Sequence, residues 1–255
     1  MSDGWDHRRY CDAAEAEIAR FIEVAGGADP DLPVPTTPGW TIADLMRHHG
    51  TTHRWMAYLV RNRAQARVWS RDVPVDVPAD PSGYPAWLRE GAARLMRTLR
   101  SVPPDAPMWT IGLDQHARFW PRRVLFEAVV HRADAELALG RVPHVDPAVA
   151  ADGVDELLAI LPCYDDIAAR IADLCGDGRS LHLCDGGTGW TVSLRDDGFT
   201  WCRAAGADGA SVTVEADPTH LLLLAYGRVA LTDPGLQVAG DRVLLGDWLT
   251  ATAFG

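Results

Sequence analysis

The hydrophobic period of this 255-residue chain changes once, near Gly176, and that change constrains its fold more than any other feature. Before it, apolar residues recur every three or four positions in long runs. After it, they alternate in short ones. From Arg8 to Val24, residues Ala14, Ile18, Phe21 and Ile22 share a helical face, and Gly26-Gly27 ends the run. Pro30, Pro33, Pro35 and Pro38 exclude a helix between Ala28 and Gly39. Thr41, with Asp44 three residues on, predicts a capped start to a second helix, Ile42 to about Arg63. Beyond the Pro-rich loop Val73–Pro85, a third helix is expected from Tyr84 to Leu99, stopped by Pro103-Pro104. A fourth runs from near Pro121, a favoured first-turn residue, to Leu139, where Gly140 closes it. Four helices with long connections predict a bundle.

A fifth helix, from Pro147 to Leu174, is expected to bridge to the remainder. There, Arg179–Leu183, Trp190–Leu194, Phe199–Arg203 and Ser211–Glu215 alternate between apolar and polar residues. Gly and Asp turn clusters separate them, which reads as an antiparallel meander. Pro218–Tyr226 and Asp241–Thr250 predict two short helices.

Composition excludes several classes of function. With 47% hydrophobic and 23% charged residues the chain is an ordinary globular one, not a disordered one. A net charge of -11 repels phosphate backbones, so no nucleic-acid partner is expected. No segment approaches the roughly 18 consecutive apolar residues of a membrane span, so no membrane partner is expected either. MSDGWDHRRY lacks the apolar run of an export signal. Cys11, Cys163, Cys175, Cys184 and Cys202 are odd in number and form no CxxC pair, which predicts reduced thiols and a cytoplasmic protein. All 24 basic residues are Arg, which points to a GC-rich coding genome, such as an actinobacterial one.

The sharpest chemical feature is Glu127-Ala-Val-Val-His131. A carboxylate and an imidazole four apart on a helix share one face and can share one cation. The alternative is a plain polar contact on a solvated face, but Phe126, Val129 and Val130 predict burial, where an unpaired carboxylate is costly. A third ligand has to come from another helix, and DLMRHHGTTHRW offers His48, His49 and His53 without choosing among them.

These segments carry a resemblance. PGWTIADLMRHHG looks like the GW-x-x-x-DL-x-x-H segment of the mycothiol-dependent maleylpyruvate isomerase family, and RRVLFEAVVHRADAELALG resembles its RR-x-x-x-E-x-x-x-HR-x-D segment. LLLLAYGR and VAGDRVLLGDWL are similar to the family's C-terminal part. The resemblance implies an α+β chain. Residues 1–146 would form a DinB-like four-helix bundle, 147–176 a bridging helix and 177–255 a small sterol-carrier-like α/β domain. It places the metal ligands at His48, Glu127 and His131. Two imidazoles and one carboxylate suit zinc, or another divalent ion, with a fourth position left open. His49, about 100° around the helix from His48, is read as a non-ligand.

The activity implied is that of a mycothiol-dependent isomerase or S-transferase, the metal activating the thiol for attack on a small electrophile. Glu127 and His131 are the catalytic centre. Arg122 and Arg123 stand by to hold a substrate carboxylate, their alternative being a solvated helix face. Asp134, three positions after His131, stands to orient a ligand or, with Arg132, to bind the thiol cosubstrate, the alternative being a salt bridge between the two. Arg228 and Arg242 match family arginines that either reach an anionic substrate or pack structurally. Trp40 and Trp55 flank the His48 helix and are candidates to line the pocket. A hydrolase using water at the same triad and a non-catalytic binding module stay open as alternatives.

Overall fold

The computed structural model describes residues 5–174, 177–187, 189–206 and 209–254. Cys175 and Gly176 lie outside them, and the change from helix to strand falls between Ala172 and Ser180. Two compact units divide the chain, Met1–Pro143 and His144–Gly255.

The first unit is helical: α1 (His7–Gly26), α2 (Ile42–Asn62), α3 (Tyr84–Ser101) and α4 (Phe119–Ala138). Thr41 caps α2 as its spacing predicts. Its hydroxyl accepts the Asp44 amide at 3.3 Å, and the Asp44 carboxylate accepts the Thr41 amide at 3.0 Å. Such a box is worth about 1 kcal/mol and fixes where the helix begins, and so which residues share its faces. Helix α2 lies very close to α3. A Cβ on Gly50 would sit 2.0 Å from Cζ3 of Trp87, so the position next to the histidine pair has room only for hydrogen.

Helix α4 has no solvent face of ordinary width. Trp120, Val124, Leu125, Phe126, Ala128, Val129, Val130 and Ala133 are all buried, and so are Arg123, His131, Arg132 and Asp134. A helix covered on most sides has to satisfy its polar groups internally. Arg132 does so by bridging Glu17 of α1 at 2.8 Å and Glu136 of its own helix at 2.6 Å.

The second unit contains α5 (Pro147–Ile160), α6 (Asp165–Ala172), β1 (Ser180–Cys184), β2 (Gly189–Arg195), β3 (Gly198–Arg203), β4 (Val212–Glu215), α7 (Pro218–Ala225), β5 (Gln237–Gly240) and α8 (Arg242–Ala251). Three expectations need correction. The helix expected to run unbroken from Pro147 to Leu174 is two helices joined by a 3-10 turn, Leu161–Cys163. Pro162 has no amide hydrogen to donate, and its ring obstructs the preceding turn. The sheet is not a simple meander. Its order is β3-β2-β1-β4-β5; β1, β2 and β3 pair antiparallel, but β4 returns to the far side of β1 and runs parallel to it, with Leu181 opposite Val212. Finally, β5 was not foreseen, because its four residues are mostly exposed and carry no alternating pattern. The apolar positions Leu181, Leu183, Trp190, Val192, Val212 and Val214 are all buried, as strict alternation requires.

Among the described residues Cys11, Cys163, Cys184 and Cys202 are free thiols. No described helix is long and apolar enough to cross a membrane.

Candidate metal centre

Helices α2 and α4 bring His48, Glu127 and His131 together, with one donor atom from each lying within 4.8 Å of the others. Nε2 of His48 and Nε2 of His131 each stand 3.2 Å from the same oxygen, Oε1 of Glu127. A tetrahedral ion about 2.1 Å from each donor would space neighbouring donors roughly 3.4 Å apart, so the carboxylate–imidazole spacing is close to what a divalent cation needs. His48 keeps 38% of its side chain exposed, and His131 only 10%. The centre is thus open on the His48 side.

The surroundings orient these side chains. Nδ1 of His131 lies 2.9 Å from Oδ2 of the fully buried Asp134, and the Thr36 hydroxyl donates to the other Asp134 oxygen at 2.6 Å. An Nδ1–H donated to Asp134 leaves the Nε2 lone pair turned toward Glu127 and a cation. On the other side, the guanidinium of Arg123 donates to Oε2 of Glu127 at 3.2 Å, which fixes the carboxylate plane. Arg123 and Asp134 carry opposite charges. Once His131 has lost the proton that an incoming cation displaces, the centre presents about one net negative charge, from Glu127.

Burial alone would strip the His131 proton, but hydrogen bonds to Asp134 and Glu127 outweigh it and lift the pKa to about 9. Burial likewise pushes the Glu127 pKa upward. The hydrogen bonds and charges of His131 and His48, together with Arg123, overcome it and hold the carboxyl well below its usual range.

Other expected site residues are distributed differently. Arg122 is half-buried with its guanidinium 5.9 Å from the Phe126 ring. Arg132 is engaged with Glu17 and Glu136, while Asp134 is held by His131 and the Thr36 hydroxyl. Arg228 and Arg242 belong to the second unit. Arg228 donates to the Tyr226 carbonyl at 2.8 Å, and Arg242 opens α8 with its side chain near the Val238 carbonyl at 3.4 Å. Trp40 lies against His48, ring centroids 5.0 Å apart, whereas Trp55 donates to the Val68 carbonyl and packs edge-on to Trp120.

Sequence reasoning did not anticipate the state of His49 and His53. Both are buried, at 0% and 1% exposure, their rings 4.3 Å apart, and none of their four ring nitrogens has a hydrogen-bond partner. His49 also approaches the His131 ring at 5.8 Å and the Phe21 ring at 4.4 Å. The i,i+4 spacing of this pair was the available signal. It resembles a ligand pair in sequence, and only burial without a carboxylate distinguishes it.

Comparison with known proteins gives a consistent picture. The family model of the mycothiol maleylpyruvate isomerase N-terminal domain matches residues 11–136, and that of the MDMPI C-terminal domain matches residues 148–247. The crystal structure of the mycothiol-dependent maleylpyruvate isomerase superposes with a TM-score of 0.60 at 16% identity, covering 92% of this chain and 93% of that one. A histidine-to-alanine variant of that enzyme superposes equally well at 15% identity. The chain is also 30% identical over 139 residues to the polyribonucleotide nucleotidyltransferase of Corynebacterium efficiens. That match covers 53% of this chain but 16% of the other, so the chain spans about a sixth of the length of that relative.

Proposed function

This chain belongs to the mycothiol-dependent maleylpyruvate isomerase family, and from that premise we propose that it is a metal-dependent enzyme using the thiol of mycothiol to attack a small electrophile. The observation that carries the proposal is the convergence of His48, Glu127 and His131 on one point, with donors spaced for a divalent cation. Zinc suits this donor set. When bound, the ion would supply the Lewis acidity that ionises a coordinating thiol near neutral pH.

The chain's own residues do the rest. Glu127 and the two imidazoles hold the ion, and Asp134 fixes the His131 tautomer. Arg123 keeps the Glu127 carboxylate from rotating. Arg122, at the first turns of α4, is our choice for a substrate carboxylate, and Arg123 serves Glu127. Asp134 and Arg132 act behind the ligands rather than on the cosubstrate. In an isomerase, the thiolate would add to one carbon of a cis double bond conjugated to a carbonyl, the π pair moving onto the carbonyl oxygen as an enolate. The carbon–carbon bond, now single, would rotate, and the returning pair would re-form it as a trans double bond while the carbon–sulfur bond breaks and releases the thiolate. In an S-transferase the sulfur stays attached and a leaving group departs with the electron pair.

The test is mycothiol binding and turnover in zinc-loaded and metal-free protein. Binding that needs the metal, and turnover that needs both metal and thiol, are expected. Turnover of an electrophile without any thiol would replace this reading with hydrolysis.

A further inference from the structure

In front of His48 the first unit has an open cleft of about 470 Å³, within the range of small-molecule sites. Its floor is one face of α2. Asp44, Arg47, His48, Thr51 and Thr52 fall at helical intervals of three, four, seven and eight from Asp44, so the lining is continuous with the candidate ligand. Trp40 forms one wall and Ser70 contributes another hydroxyl.

The charge in this cleft is already balanced. Arg47 donates to Oδ1 of Asp44 at 2.8 Å, while the other Asp44 oxygen accepts from Thr41. An incoming anion would have to compete with Asp44 for the guanidinium. A hydroxyl does not compete: it can donate to the carboxylate and accept from the guanidinium at once, and adjacent hydroxyls can bridge the pair. Thr52 and Ser70 add two hydroxyls that both donate and accept, and Thr51, whose proton goes to the Arg47 carbonyl at 2.8 Å, adds an acceptor.

Trp40 supplies the apolar surface such a ligand needs for its C–H faces. It is half-buried and fixed in place before any ligand arrives. Gly39 takes a left-handed φ of +86°, the Trp40 amide donates to the Thr37 carbonyl at 3.0 Å, and its carbonyl accepts from Val34 at 2.9 Å. The turn sets the indole against His48 at the mouth of the metal centre.

We propose that this cleft is a subsite for a neutral, hydroxyl-rich moiety of the polyol or sugar type, with Trp40 as its platform and the Asp44–Arg47 pair as its hydrogen-bonding rail. The inference rests on the thiol reading of the neighbouring centre: a ligand held here by its polyol would deliver a tethered thiol past Trp40 to His48. The polyol half of mycothiol is the occupant.

Three probes separate the parts: mycothiol, N-acetylcysteine, which keeps the sulfur but lacks the polyol, and N-acetylglucosaminyl-inositol, which keeps the polyol but lacks sulfur. Titrations of zinc-loaded Trp40→Ala should show mycothiol binding weakened tenfold or more, N-acetylcysteine binding changed less than twofold, and zinc content retained. Thr52→Val, which leaves the wall and the Asp44–Arg47 pair in place, should weaken mycothiol binding three- to tenfold and serves if Trp40→Ala does not fold. N-acetylglucosaminyl-inositol should bind the metal-free protein as well as the loaded one. That last result would hold even if thiol turnover were absent, so the subsite and the thiol reading fail separately. Unchanged mycothiol affinity in both variants would overturn the subsite. So would equal weakening of mycothiol and N-acetylcysteine in Trp40→Ala, which would mean that Trp40 acts only by propping His48.

Discussion

Helix α2 carries two kinds of histidine one residue apart. His48 meets Glu127 at the open edge of the bundle, and Glu127 in turn is held by His131 and Arg123. His49 and His53 face the interior, where each ring has the other as a neighbour, His49 also meets Phe21 and His131, and no group satisfies their nitrogens. On the proposed reading, the same side chain serves as a ligand in one place and as a neutral filler in the other. What differs is the carboxylate: a buried imidazole becomes a cation-binding group only where an anion and a fixed tautomer come with it.

The contrast fails most visibly if Glu127 is dispensable. Glu127→Ala should reduce zinc retained after dialysis to below a tenth of the wild-type content. It should also cost about 3 kcal/mol of stability, since Arg123 and His131 are left buried without their anion. Elemental analysis and urea unfolding measure the two effects. Retained stoichiometric zinc would remove the carboxylate from its central place.

Next in size is the orienting carboxylate. Asp134→Asn keeps the shape but removes the charge that holds the His131 Nδ1 proton, and zinc affinity should fall about 10–100-fold. Competition with a chromogenic chelator reads this directly. An affinity equal to wild type would show that packing alone aims the His131 ring.

The interior pair gives a smaller, pH-dependent effect. Burial, reinforced by Arg54, His48 and His131 and opposed by Glu127, depresses the His53 pKa from 6.5 to about 3. Above 6.5 the imidazole is neutral in both folded and unfolded chains. Below it, the unfolded chain gains a proton that the folded one refuses until about pH 3, so stability drains as pH falls through that window. In metal-free protein, His53→Leu should therefore lose less stability than wild type between pH 7 and pH 4.5. At pH 7 the two should agree within about 1 kcal/mol, because an unpaired polar group is exchanged for an apolar one. Chemical unfolding at the two pH values, with a chelator present, decides the matter.

The smallest effect expected is none. His49→Phe preserves an aromatic edge toward His131 and Phe21, and zinc content should stay within twofold of wild type. A tenfold loss would move His49 among the ligands and dissolve the distinction between the two histidines.

Much of this arrangement is local and was therefore legible in the chain. The prolines at 30, 33, 35 and 38 and the Thr41–Asp44 box bound α2, and helical spacing alone puts Glu127 over His131 on α4. The apolar alternation likewise fixes which apolar residues of β1, β2 and β4 turn inward. All of these depend on backbone geometry repeated every few residues. The parallel return of β4 to β1, the break at Pro162 and the late strand β5 depend on which surfaces meet across the unit, and short alternating segments carry no label for their neighbours. The histidines divide the same way. Spacing alone supplied His48, His49 and His53 as equals on one helix, and the family resemblance singled out His48. Only the packing of α1 and α4 around it gave one of them Glu127 and left the other two among aromatic rings, because burial and charge pairing are set by distant residues brought close.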